Sequence, residues 1–157
     1  MPLDSWSCDA CGKPITSAPN DGIVVWRTRE TDGRYLDHDF KIVHKTIEPD
    51  PVPHRCDPGN AGGYDAHIDL TVLLGADGLA WLLSWLSAGP FLGGGHLQVA
   101  DLDEYVNLVR RLQTPYYEQA RQNFNDEAVR DILCDASEVA PYLPDTLHRI
   151  AAGTLGK

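Results

Sequence analysis

The stretch Cys8-Asp9-Ala10-Cys11-Gly12-Lys13-Pro14-Ile15 decides how the chain is read. Two thiols separated by two residues can grip one metal ion from a tight turn, and a glycine after the second lets the backbone bend so that its amides face the sulfurs. A redox pair of the same spacing would follow a strand and open a helix, and Gly12-Lys13-Pro14 blocks a helix there. The pair is therefore read as one half of a zinc site, and the other half must come from later in the chain.

Working outward, residues 22 to 28 and 34 to 44 are rich in β-branched and aromatic side chains, with Asp32-Gly33 between them, the pattern of a β-hairpin. Alternation along the second strand sets Phe40, Ile42 and His44 on one face, against Lys41 and Val43. His38 joins the face of Phe40 and Ile42 only if no bulge intervenes. From Glu48 to Gly63 prolines and glycines exclude regular structure and predict a long loop that needs an anchor. Cys56 lies in that loop, flanked by His54. It is the one later cysteine near enough to join Cys8 and Cys11, and the fourth ligand is His44 or, as the alternative, His54. His44 is preferred because it ends a strand, and a ligand on a rigid element is easier to hold in tetrahedral geometry.

The order of knuckle, hairpin and second ligand pair resembles the zinc-ribbon and treble-clef modules over roughly residues 6 to 58, and the knuckle itself resembles the opening of a LIM-type finger. The resemblance implies a structural Zn2+ and a β module. It departs from a LIM finger in having no His-x2-Cys pair and no second module, so partner rules of that family do not transfer. The chain also resembles small bacterial proteins in which such a knuckle precedes a Leu-Gly-x-Asp-Gly-Leu helix, here Leu74-Gly75-Ala76-Asp77-Gly78-Leu79, and that likeness implies no activity.

The second half reads as helical. Residues 76 to 87 are apolar nearly all round, with Leu79, Leu82, Leu83 and Leu86 on one face and Trp81 and Trp85 beside them, which predicts a buried helix. Asp101 with Glu104 forms a capping box for a helix whose inner face is Leu102, Tyr105, Val106, Val109 and Leu112. Thr114-Pro115 predicts a break and a new helix to about Phe124. A stretch from Glu127 to Val139 uses Ala128, Val129, Ile132, Leu133 and Ala136, and a last helix covers 144 to 152. The fold expected is α+β: a zinc-bound β-hairpin module, 1–63, packed as one unit against about four to five helices, 64–157.

The chain has 157 residues and a formal net charge of −10, with 43% hydrophobic and 23% charged residues. That composition predicts an ordered globular chain, and its acidity opposes a nucleic-acid backbone unless bases cluster. The start of the chain, residues 1 to 7, has no basic or apolar run, and no apolar stretch reaches membrane-spanning length, so a cytoplasmic protein away from membranes is expected. Tyr116 and Tyr117 with Arg110, Arg111 and Arg121 are the one concentration of aromatic and basic groups that could stack on bases. His38, His67 and His96 read as isolated residues, the Gly93-Gly94-Gly95 run as a connector, and Cys134 as a packed or half-exposed thiol. Trp6, Trp26, Trp81 and Trp85 read as a join between the zinc module and the helices. With no convergent catalytic set, the function expected is that of a non-enzymatic adaptor or regulatory protein meeting a basic protein partner. A zinc-finger nucleic-acid binder and a zinc-dependent hydrolytic enzyme are the alternatives.

Overall fold

A computed structural model describes residues 3–15, 18–45, 56, 64–87, 89–91 and 98–156. The hairpin is present and longer than its apolar pattern: β1 is Gly22–Thr31 and β2 is Arg34–His44, paired antiparallel from Thr31↔Arg34 to Gly22↔His44. Its turn places Asp32 at φ 53° and Gly33 at φ 74°. Two consecutive left-handed residues are what a tight hairpin turn requires, and Asp-Gly supplies them with little strain.

A bulge interrupts the register, because Val25 pairs with Lys41 but Arg27 pairs with His38. The additional residue lies on β2, where Asp39 has φ 56°. Paired residues share a face, so His38 falls on the side of Lys41 and apart from Phe40 and Ile42.

Two short strands complete a four-stranded sheet in the order β3-β1-β2-β4. β3, Ala66–Asp69, pairs antiparallel with β1, and β4, Gln98–Val99, pairs parallel with β2. Both come from the part of the chain read as wholly helical. Four and two residues are too few to carry an alternation pattern, and each is held by the backbone groups of the hairpin edge it covers.

The described residues hold five α-helices, the first of them ahead of β4: α1 Gly75–Leu86, α2 Leu102–Gln113, α3 Tyr117–Ala120, α4 Glu127–Leu133 and α5 Pro144–Ala151. α2 starts where Asp101 caps it, its carboxylate accepting from the N–H of Asp103 at 2.9 Å and of Glu104 at 3.1 Å. Glu104 does not close the capping box; its carboxylate accepts from the Phe40 N–H at 2.6 Å and ties the helix to the sheet instead. The buried face of α2 is Tyr105, Leu108, Arg111 and Leu112, and Leu102 is exposed. Tyr116 stands at φ 66°, so the chain turns once more before α3 begins at Tyr117 rather than at Pro115. α4 ends at Leu133, short of the expected Val139; Val129 alone of its apolar residues is buried, and Ile132 is exposed.

The expectation of an all-round buried α1 is corrected. Gly78, Leu82 and Trp85 face inward, whereas Leu79, Leu83 at 54% exposure, Leu86 and Trp81 at 51% face outward. One sheet and one helix cover a single stripe of a helix, and among the described residues no further layer lies over α1. Inside, Trp85 meets Trp26 edge-on at 5.2 Å between ring centroids and Phe40 at 5.9 Å. Its Nε1–H donates to the fully buried Asp37 at 2.9 Å, and Thr28 Oγ1 donates to the same carboxylate at 2.7 Å. Trp6, Trp26 and Trp85 thus join sheet, knuckle and helices as expected, and Trp81 does not.

Gly78 illustrates how closely α1 approaches the preceding 3-10 turn, Leu70–Leu73. A Cβ at this position would overlap the Leu73 carbonyl carbon and oxygen. Alanine ordinarily favours a helix over glycine by about 1 kcal/mol, whereas overpacking of backbone against backbone costs about 1–3 kcal/mol. Gly78→Ala is therefore expected to lower the melting temperature; an unchanged or raised one would contradict this packing.

A second, smaller core gathers Tyr117, Ala120, Val129, Leu147 and Ile150 from α3, α4 and α5.

Candidate metal centre

The knuckle is a miniature hairpin. Ser7 and Pro14 form a β-bridge, the Ile15 N–H donates to the Trp6 carbonyl at 2.8 Å, and the Cys8 N–H donates to the Lys13 carbonyl at 2.9 Å. The Gly12 N–H closes the turn onto the Cys8 carbonyl at 2.8 Å, with Gly12 at φ 72°. No helix starts here, as Gly12-Lys13-Pro14 requires. The knuckle docks on β2 through Asp9: its N–H donates to the Ile42 carbonyl at 2.8 Å, and its carboxylate accepts from the Ile42 N–H at 2.8 Å. Ile42 is two residues before His44, so this docking brings the turn to the end of the strand.

There the sulfurs of Cys8, Cys11 and Cys56 and one ring nitrogen of His44 lie within 4.8 Å of one another. Cys8, Cys56 and His44 are buried and Cys11 is exposed. The Cys11 sulfur is 3.6 Å from His44 Nδ1. A tetrahedral zinc with bonds of about 2.3 Å to sulfur and 2.0 Å to nitrogen has a sulfur-to-nitrogen edge of about 3.5 Å. On the far side of the ring, His44 Nε2 is 3.1 Å from the Pro14 carbonyl oxygen. A carbonyl can only accept, so Nε2 is the donor there and Nδ1 is the ring nitrogen turned toward the thiols, the orienting contact usual for a metal-bound imidazole. The cluster can hold a metal ion and is compatible with zinc. His54, and all of residues 48 to 63 except Cys56, lie outside the described residues, as do Gly93-Gly94-Gly95 and His96.

Without a metal the thiols differ. Burial pushes Cys56 up to about 12, with Cys11 and Cys8 adding to the shift. Burial also acts upward on Cys11, but the Lys13 backbone N–H and hydrogen bonds from Cys56 and Cys8 outweigh it and hold that thiol below its ordinary value. Metal uptake must then displace protons. Zinc titrations in buffers of different ionisation enthalpy are expected to report release of about two to three protons per ion at pH 7. Release of none would exclude thiolate ligation.

Beside the knuckle stands a buried ionic cluster that sequence reading missed. Arg111, 3% exposed, donates from Nε to Glu118 Oε2 at 2.8 Å, from Nη1 to Asp9 Oδ2 at 2.6 Å and from Nη2 to the Ser7 carbonyl at 3.2 Å. Glu118, 4% exposed, accepts further from Arg121 Nε at 2.8 Å and from the Ser7 N–H at 3.0 Å. Arg121 Nη2 also reaches Asp9 Oδ1 at 3.4 Å. Trp6 Nε1–H donates to the Arg111 carbonyl at 3.0 Å. Burial pushes the Glu118 carboxyl upward, but pairing with Arg111 and Arg121 prevails and holds it below the ordinary glutamate value. The signal available in the sequence was Arg111 itself, a charge between the inward positions Leu108 and Leu112, which a buried helix face admits only with partners.

The remaining candidates stay apart from this centre. Arg110 stacks on the Tyr142 ring at 3.5 Å, so the aromatic-basic group near Tyr116 and Tyr117 is divided between a ring stack and the ionic cluster. His67 is exposed on β3, and Cys134 is exposed with its sulfur 3.2 Å from the Asp131 carbonyl. Among the described residues no helix is long and apolar enough to cross a membrane. No family model, curated protein or solved structure matches the chain.

Proposed function

We propose that Cys8, Cys11, His44 and Cys56 bind one structural Zn2+, and that the protein is a non-enzymatic adaptor or regulator acting on a partner protein with a basic surface. The observation that carries the metal reading is the convergence of three thiols and an oriented imidazole within 4.8 Å. Three soft thiolates and one imidazole suit zinc better than the hard cations that prefer oxygen, and four protein ligands leave no position for a substrate. The resemblance to zinc-ribbon and treble-clef modules rests on the same set. In this reading residues 1–63 form the zinc module and fold as one unit with 64–157.

The adaptor reading rests on α1. Leu79, Leu83 and Leu86 recur at helical spacing as an exposed apolar stripe beside the buried one. Contiguous exposed apolar surface on a folded protein marks contact sites, and a net charge of −10 favours a cationic counterpart. The test is capture by the immobilised zinc-loaded protein against a Leu79→Glu/Leu83→Glu variant that keeps its zinc and its fold. A basic protein held by the wild type, released as salt rises and absent from the variant supports the proposal. Equal capture by both, or none by either, contradicts it.

A further inference from the structure

The two cysteines of the knuckle enclose Asp9, and Trp6, Ser7 and Asp9 are each bonded to the corner where α2 gives way to α3. Trp6 holds the Arg111 carbonyl, Ser7 offers its carbonyl to Arg111 and its N–H to Glu118, and Asp9 takes Arg111 and Arg121. Two side-chain contacts extend the seam, from Gln119 to the Ser5 hydroxyl at 2.7 Å and from Gln122 to the Ser7 hydroxyl at 3.2 Å. These partners are more than a hundred residues apart in sequence.

The two sides of the seam differ in what fixes them. The helical side is built on a helix of twelve residues and continues into the second core through Tyr117 and Ala120. The knuckle side has one β-bridge, a few backbone bonds, the two contacts of Asp9 with Ile42 and the packing of Trp6, Cys8 and Ile15, and no regular element runs through it, so the position of its turn depends also on whatever draws Cys8 and Cys11 toward His44 and Cys56. If that constraint is released, Ser7 and Asp9 leave Arg111 and Glu118 with fewer partners while both remain desolvated. Buried charges that lose partners strongly disfavour the state in which they stay buried.

We propose that metal occupancy of the knuckle governs the order of the α2–α3 corner, residues 111 to 124, with the Asp9 carboxylate and the Ser7 backbone as the coupling elements. The chain is then a metal-responsive switch in which loading at one end sets the state of a helical corner that supplies none of Cys8, Cys11, His44 and Cys56. The inference rests on the zinc reading of the knuckle. Linkage makes the coupling reciprocal, so a change confined to the corner must weaken metal binding.

Three measurements on the full-length protein test it: zinc per chain, hydrogen exchange of residues 114 to 124 with and without chelator, and zinc affinity by competition with a chromophoric chelator. Chelation is expected to speed exchange in 114 to 124 by about tenfold or more, and by more than in α1. Arg111→Met keeps all four ligands and the docking of Asp9 on Ile42, so it should still bind one zinc, but most of the chelation effect on 114 to 124 should vanish, and an effect of wild-type size would overturn the coupling. Glu118→Gln should lower zinc affinity by about fivefold or more, within the usual range of coupling between sites. If one zinc binds and chelation leaves 114 to 124 unchanged, the coupling is refuted and the zinc site stands. If no zinc binds at all, the zinc reading fails and the switch with it. Should Arg111→Met not fold, the wild-type exchange and the Glu118→Gln affinity decide alone.

Discussion

Cys8→Ser and Cys56→Ser are each expected to abolish stoichiometric zinc and to lower the melting temperature by about 20 °C or more, whereas Cys134→Ser should change neither. Structural zinc sites of this kind contribute apparent folding free energies of about 10 kcal/mol or more, comparable with the whole net stability of a domain at about 5–15 kcal/mol. Cys8 is 1% exposed in the main core beside Trp6 and Ile15, so its release reaches beyond the turn. Cys56 holds a position in the proline-rich stretch from which no other candidate thiol comes. Elemental analysis and a thermal melt measure both effects. Full zinc content with unchanged melting in either variant would remove that residue from the site.

Arg111→Ala is expected to destabilise the protein at neutral pH by about 3–5 kcal/mol, the range for removing one partner from a buried ionic set. Glu118 would be left with Arg121 and Ser7, and Asp9 would lose the shortest of its contacts. Arg111→Met combined with Glu118→Gln, which removes the charges while keeping most of the volume, should recover part of the loss. The cluster also sets an acid limit. Glu118 is held below its ordinary value in the fold, so its contribution is present above the unfolded carboxyl value of about 4.3 and fades as pH falls through the lower folded value. Urea unfolding of the wild type from pH 5 downward should show this loss, and Arg111→Ala should lack most of it. A destabilisation under about 1 kcal/mol at pH 7 would mean that the cluster behaves as a surface pair.

What could be read from the sequence was local. The knuckle, the Asp32-Gly33 turn, the Asp101 cap and α5 are each specified within a few residues by turn chemistry, capping or periodicity. His44 was within reach because strand alternation directs it. The bulge at Asp39 was not, since nothing in His38-Asp39-Phe40 requires an additional residue and the slip exists only relative to β1. The edge strands β3 and β4 are too short to signal themselves and exist through the partner they cover. α1 misled because its composition is apolar on more sides than the fold covers. The ionic cluster joins Asp9 to Arg111 across 102 positions, and only the folded chain brings them together.

X-ray absorption at the zinc edge on the purified protein is the most direct measurement of the metal centre. One zinc per chain is expected, with three sulfur scatterers at about 2.3 Å, one nitrogen at about 2.0 Å and no water in the shell. An oxygen-rich shell, two or fewer sulfurs, or a protein that takes up no zinc would contradict this coordination.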